Sequence, residues 1–100
     1  MIATVWRFEV KPDAVAAFES IYGPRGDWAR LFARQDGYDG TELLRLQGDA
    51  AIYLTIDRWR DHAAFEQAKR AFADDYAALD RRCEALTSDE TWLGLHAVVG

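Results

Sequence analysis

Alternation of apolar and polar positions predicts four β-strands along the chain. Side chains that recur on one face at every second residue are typical of a strand. The alternation places strands at residues 2–10, 41–47, 51–59 and 90–99. The third strand is apolar on both faces, so it needs cover on both sides. In the last strand, Trp92 and His96 lie an even number of positions apart, and we expect them to share a face.

Apolar residues that recur three or four positions apart predict helices between these strands. The first helix extends over residues 12–22, with Pro12 in its first turn, where proline is tolerated. Asp27 is placed to cap a short second helical segment. After the third strand, a helix opens at Asp61. Its apolar stripe changes phase near Ala73, which indicates a break.

The order strand, helix, strand, strand, helix, strand predicts an α+β, ferredoxin-like subunit. We expect one domain over residues 1–100, with a four-stranded antiparallel sheet and all helices on one face. Whichever face the helices cover, large apolar side chains remain on the other. Such a patch is larger than monomers usually expose, so the sequence predicts a homodimer with its sheets face to face. The alternative is that this face mixes apolar with polar residues, such as Arg7 and Gln47, and stays exposed to solvent.

Composition limits which kinds of binding partner and which cellular compartment we expect for the protein. The net charge is -5 without a basic stripe, which argues against a nucleic-acid partner. The apolar stretches are shorter than a membrane span, and the N-terminus begins with a strand pattern instead of a signal segment. Cys83 is the only cysteine and falls on an apolar helical stripe, where a thiol behaves as a small hydrophobe. We therefore expect a cytoplasmic protein without a disulfide.

Candidate chemistry is carried by aromatic and basic residues. Trp28, Tyr38 and Trp59 lie near the ends of elements, where they could converge around a flat aromatic ligand, although large rings also serve a small core. Further members of this aromatic set are Tyr53 and Trp92, and the basic candidates are Arg45 and Arg58. The spacing of His62 and His96 does not match a metal site. His96 is a candidate proton acceptor or haem ligand, or simply an interface residue.

Three segments resemble the antibiotic biosynthesis monooxygenase family of dimeric α/β barrels. They are residues 37–45 (GYDGTELLR), 53–59 (YLTIDRW) and 76–80 (YAALD). The resemblance implies a face-to-face dimer and either cofactor-free oxidation of polycyclic phenols or oxidative breakdown of haem; other relatives have no known reaction. It also implies that Trp59 lines the pocket. Thr55 stands where oxygenase relatives tend to have asparagine, and Phe65 where some have a basic residue.

These departures leave three hypotheses for function. The first is an oxygenase without metal or cofactor that binds an aromatic substrate through Trp28, Tyr38 and Trp59. Its proton or oxyanion would then be handled by Tyr53, Arg45 or His96. The second is a non-catalytic homodimer that binds a small aromatic ligand or assists another enzyme. The third, ranked lower, is a haem-binding or haem-degrading protein that uses a histidine as axial ligand.

Overall fold

The computed structural model describes residues 1–100 and confirms the predicted order of elements. The strands are β1 (Ile2–Val10), β2 (Tyr38–Arg45), β3 (Ile52–Trp59) and β4 (Thr87–Ala97). The helices are α1 (Val15–Tyr22), α2 (Asp27–Phe32), α3 (His62–Ala71) and α4 (Ala73–Cys83), with short 3-10 turns at Pro12–Ala14 and Glu84–Leu86. None of these helices has the length and apolar character needed to cross a membrane.

The sheet confirms the predicted ferredoxin-like architecture. Its strand order is β2-β3-β1-β4, and every neighbouring pair is antiparallel. The central strand β3 pairs Trp59 with Ile2 on one side and with Tyr38 on the other. Tyr53, Thr55, Asp57 and Trp59 are all buried, whereas the alternate positions on β3 are only half-buried. The buried set therefore faces the helices.

Strands β2 and β4 depart most from their predicted limits, and each contains an irregular position. Strand β2 begins three residues early, at Tyr38, since a register shift between Tyr38 and Thr41 carries the strand through Gly40, and it ends at Arg45, two residues before the predicted limit. Gly40 accommodates this shift with a φ of 105°, a backbone conformation that favours glycine. Strand β4 likewise begins at Thr87 and ends at Ala97.

A bulge in β4 makes the predicted face of His96 wrong. Trp92 pairs with Trp6, but the next pair along the ladder joins Gly94 to Val5, so Leu93 is an extra residue. Gly94 has a φ of 104° at this point. Because one inserted residue reverses the alternation, His96 pairs with Ala3 on the outer face, whereas Trp92 shares the helix-facing side with Trp6.

The helix ends confirm one predicted cap and correct another. Asp61 caps α3, since its Oδ1 accepts a hydrogen bond from the backbone N–H of Ala64 at 2.8 Å. This bond is the main reason that the pKa of Asp61 is lowered. Asp27 does not cap α2 as predicted. Gly26 occupies the cap position, and the Asp27 carboxylate instead pairs with Arg30 at 3.0 Å. The predicted break near Ala73 is confirmed, because α3 and α4 meet at Phe72.

The main core lies between the sheet and helices α1, α2 and α4. At its centre, Phe18 is fully buried, and its ring stacks on Tyr22 with 4.2 Å between centroids. Cys83 is also fully buried, and burial raises the pKa of its thiol, as expected for a thiol in an apolar setting. The other buried members are Phe8, Val10, Ala14, Trp28, Leu31, Tyr53 and Leu79.

The face of the sheet that points away from the helices is apolar along its centre. Leu54 pairs there with Leu44, and Ile56 pairs with Val5. Charged pairs surround this apolar stripe, among them Arg7 with Glu9 at 3.2 Å. We call the stripe formed by Val5, Leu44, Ile52, Leu54 and Ile56 the outer apolar stripe.

Candidate active site

Two adjoining chambers that share part of their walls lie between the sheet and the helices. The larger chamber has a volume of about 330 Å³ and is mostly apolar. A smaller chamber of about 60 Å³ adjoins it. Both chambers are lined by Trp6, Phe32, Asp57 and Tyr76. Ligand pockets typically begin at about 300 Å³, so the larger chamber has the size of a small-molecule site.

Aromatic rings form most of the wall of the larger chamber. Trp59 comes from the end of β3, and its ring centroid lies 5.3 Å from Phe32 and 5.7 Å from Phe65. Trp6 and Trp92 contribute from β1 and β4, with centroids 5.1 Å apart. Aromatic side chains at these separations can pack, by face or by edge, against an aromatic ring of a bound ligand. The geometry therefore suits a flat, unsaturated ligand.

Two indole N–H groups in these walls lack an acceptor within the protein. They belong to Trp59, in the larger chamber, and Trp28, in the smaller one. Each residue is buried, and a buried donor without a partner costs free energy. A bound molecule that carries oxygen could supply an acceptor.

Asp57 is the one carboxylate that lines both chambers. It comes from β3, is 7% exposed and forms no ion pair with a basic side chain. Burial raises the pKa of Asp57 to about 6, and a hydrogen bond from Thr41 offsets part of this rise. A carboxyl with such a pKa exchanges its proton near neutral pH, which is the requirement for acid–base chemistry.

A chain of hydroxyl groups orients Asp57 from behind. The Thr41 hydroxyl donates to Asp57 Oδ1 at 2.5 Å, and it lies 2.5 Å from the Tyr38 hydroxyl. Because the single proton of Thr41 is used on Asp57, Tyr38 must donate to Thr41. Burial raises the pKa of Tyr38, so this hydroxyl keeps its proton. Asp57 Oδ1 is therefore fixed, and Oδ2 forms no hydrogen bond within the protein.

Further ionisable groups stand around the chambers. Burial, with the nearby carboxylates Asp80, Asp57 and Glu90, raises the pKa of Tyr76 to about 12, so Tyr76 is a neutral hydroxyl at physiological pH. Burial also raises the pKa of Glu90, with Asp80 adding to the effect. Lys69 lies in the wall of the larger chamber and pairs with Glu66 at 3.3 Å. The smaller chamber is thus acidic, and the single basic residue belongs to the larger one.

The predicted substrate-binding residues are brought to this region. Trp59 lines the larger chamber, and Trp28 lines the smaller one. Tyr38 packs against the Trp59 ring at 5.3 Å and contributes to the hydroxyl chain, so it supports the wall from behind.

The three predicted catalytic candidates lie outside the cavity walls. Tyr53 donates a hydrogen bond to Glu19, and the Arg45 guanidinium lies 5.4 Å from the centre of the Tyr53 ring. Arg45 and Glu19 are 3.7 Å apart, so these residues form a separate polar cluster. His96, on the outer face, lies 2.8 Å from the backbone carbonyl oxygen of Leu93 through Nε2.

Sequence reasoning missed Asp57 as a site residue, although a signal was present. Asp57 lies two positions from both Thr55 and Trp59, so alternation places it with them on the helix-facing side of β3. A carboxylate at such a position is rarely buried without a specific role. No group of three or more His, Cys, Asp or Glu residues is placed to hold a metal ion.

Comparison with known proteins identifies the family. The family model for antibiotic biosynthesis monooxygenases matches residues 1–73. SnoaB, described as a cofactor-independent oxygenase from Streptomyces nogalater, is 30% identical, with 99% of this chain and 93% of that chain covered and a TM-score of 0.77.

More distant structures share the fold. A protein from Pseudomonas aeruginosa is 19% identical, with 98% of this chain and 94% of that chain covered and a TM-score of 0.68. Another, from Mycobacterium tuberculosis, is 16% identical, with 99% and 95% covered and a TM-score of 0.69. The sequence has no match among curated proteins. The family model and the likeness to SnoaB show that the chain belongs to the antibiotic biosynthesis monooxygenase family.

Proposed function

We propose that the protein is a cofactor-independent oxygenase that oxidises a polycyclic phenol or a related anthrone-like compound. The observation that carries the proposal is the aromatic-walled chamber of about 330 Å³ with an unpaired carboxylate in its wall. Membership of a monooxygenase family and 30% identity to a cofactor-independent oxygenase support the same chemistry. The aromatic walls would hold the flat substrate and exclude water from the reacting carbon.

The proposed reaction balances without any electron carrier. An anthrone has a methylene carbon between two aromatic rings, and loss of one proton leaves a delocalised anion. That anion reduces dioxygen and forms a carbon–oxygen bond to it, giving a hydroperoxide. Loss of water then leaves a carbonyl group, so anthrone and dioxygen become anthraquinone and water. The enzyme needs only to bind the substrate, accept a proton and return it.

Oxygen uptake with anthrone or dihydroxyanthracene tests this proposal. We expect the purified protein to accelerate uptake without added cofactor, with one dioxygen consumed for each quinone formed. Ala68→Leu should raise KM by roughly tenfold, because Ala68 lines the larger chamber and the added atoms occupy substrate space. Ala63→Leu, on the exposed side of the same helix, is the matched control. Uptake equal to that in protein-free buffer would contradict the proposal.

A non-catalytic binding protein is the second candidate. Thr55 favours it, because this buried residue lines the smaller chamber at the position where the family resemblance implies asparagine. A thermal-shift series with anthraquinone and dihydroxyanthracene separates the two: stabilisation without turnover supports binding alone. The haem hypothesis finds no support in the cavity, since His96 is on the outer face and His62 is on the surface of α3 beside Glu66.

The outer apolar stripe supports a homodimer as part of the proposal. Its central residue Leu54 is flanked by Leu44 and Arg7, and Leu44 is 44% exposed. A two-fold partner that presents the same face would bury these side chains against their own copies.

Leu54→Asp tests the dimer. We expect the dimer dissociation constant to rise at least about 100-fold, because two carboxylates would be buried against each other at the centre of the interface. Sedimentation at micromolar concentration measures the change, and circular dichroism confirms that the fold is kept. Gln47→Asp, which adds the same charge on an exposed residue just past β2, should remain dimeric. A wild-type protein that sediments as a monomer would refute the dimer.

A further inference from the structure

We infer that Asp57 is the catalytic residue that accepts the proton from the bound substrate. The inference rests on the proposed function and names the group that performs its first step. Asp57 is in the wall of both chambers, so a substrate that occupies the larger chamber contacts it directly. The residues predicted for this task from the sequence, Tyr53, Arg45 and His96, do not line either chamber.

The hydrogen bonds of Asp57 leave one oxygen free for the substrate. Thr41 donates to Oδ1 at 2.5 Å, and no protein group donates to Oδ2. The backbone carbonyl of Asp57 accepts a long hydrogen bond of 3.5 Å from Thr4, which ties this part of β3 to β1. The carboxylate is thus held in one orientation by its strand and by Thr41. Such fixed placement is what a proton acceptor requires.

The surroundings keep Asp57 reactive because no cation neutralises it. The ionisable groups in the walls from neighbouring elements are Tyr22 on α1, Lys69 on α3, Tyr76 and Asp80 on α4 and Glu90 on β4, and Tyr38 on β2 lies behind Thr41. The three tyrosines are neutral, because burial raises the pKa of each. Lys69 pairs with Glu66 and forms no salt bridge with Asp57. An unpaired carboxylate in an apolar chamber is a stronger base than one in water.

The proton transfer fits the balanced reaction given above. The carbon–hydrogen bond of the anthrone methylene, or the oxygen–hydrogen bond of a phenol, breaks, and its proton passes to Asp57 Oδ2. The electron pair stays on the substrate and enters the new bond to dioxygen. Protonated Asp57 then returns the proton to the outer peroxide oxygen and gives the hydroperoxide. The second carbon–hydrogen bond and the oxygen–oxygen bond break together: the electron pair of the carbon–hydrogen bond forms the carbonyl group, and the outer oxygen leaves as hydroxide and takes up the released proton as water. Asp57 ends the cycle ionised, and dioxygen is the only oxidant.

Asp57→Asn tests this assignment in the full-length protein with anthrone as substrate. We expect kcat to fall at least about 100-fold, because the amide keeps the shape of the side chain but cannot accept the proton. In the wild type, kcat/KM should rise with pH through a midpoint near 6, the pKa of Asp57. Thr41→Val should move that midpoint to higher pH, since the Thr41 hydrogen bond lowers the pKa of Asp57. A purely structural role of Thr41 would leave the midpoint unchanged.

Glu90→Gln and Asp49→Asn are the controls. Glu90 is the other cavity carboxylate whose pKa is raised, so its variant should keep the acidic limb of the profile. Asp49 is exposed in the turn before β3, and its variant should keep the wild-type rate. If the wild type turns over but Asp57→Asn stays within about threefold of it, the role of Asp57 is overturned while the oxygenase proposal stands. If the wild type does not oxidise anthrone, both fall.

Discussion

Asp57→Asn is expected to raise the free energy of unfolding at neutral pH by about 1–3 kcal/mol, while it removes activity. The ordinary pKa of the carboxyl is 3.8, and burial raises it to about 6 in the folded protein. The folded protein therefore binds this proton more tightly than the unfolded chain does. The stabilising contribution of the protonated group is fully present below about pH 4 and is lost as the pH rises through about 6.

Urea unfolding at about pH 4 and about pH 7.5 measures this effect. The free energy of unfolding of Asp57→Asn should exceed that of the wild type by more at about pH 7.5 than at about pH 4. Only the wild type must ionise a buried group at the higher pH. The amide retains an oxygen that accepts from Thr41, so the hydroxyl chain is kept. Asp49→Asn should show no comparable change with pH, since Asp49 is exposed. An equal difference in the free energy of unfolding at both pH values would show that ionisation of Asp57 does not destabilise the folded protein.

Phe18→Ala is expected to lower the free energy of unfolding by about 3–5 kcal/mol. Phe18 is fully buried, and its ring lies 4.2 Å from Tyr22, 4.9 Å from Tyr53 and 5.3 Å from Phe8 between centroids. Loss of this ring leaves a void that its aromatic neighbours can only partly fill. Urea titration followed by tryptophan fluorescence measures the change.

Phe65→Ala is the matched comparison. Phe65 is only partly buried and borders the larger chamber, so its removal enlarges an existing cavity. We expect a smaller loss, about 1–2 kcal/mol, together with weaker binding of flat ligands. Equal losses for both variants would contradict the assignment of the main core to the cluster around Phe18.

The strands and helices were predictable because the spacing of apolar residues along the sequence follows the buried face of each element. Strand β3 alternates over its whole length, and its buried face in the structure is the one that contains Tyr53, Thr55 and Trp59. The face of His96 was not predictable in the same way. A single bulge at Leu93 shifts the register, and its one local sign is Gly94, a glycine inside a strand pattern, which indicates an irregularity without specifying the unpaired residue.

The candidate site was only partly predictable for a related reason. Trp28 and Trp59 could be named because large aromatic residues near element ends often line pockets, and both border the cavity. Asp57 stands beside Arg58 in the sequence, and adjacent opposite charges on a strand are compatible both with a functional role and with a solvated pair. In the structure the two side chains point to opposite faces: Asp57 meets Thr41, and Arg58 meets Glu42. In a strand, residues two positions apart share a face, whereas adjacent residues point to opposite faces.

The bulge at Leu93 also separates two parts of β4 whose side-chain faces are set by their partners on β1. Gly94, Leu95 and His96 pair with Val5, Thr4 and Ala3, so deleting Leu93 would straighten the strand and leave these partners unchanged. Leu95 would still project toward the helices, and His96 would still lie outside. An engineer could therefore remove the codon for Leu93 without changing which side chains beyond it enter the interior.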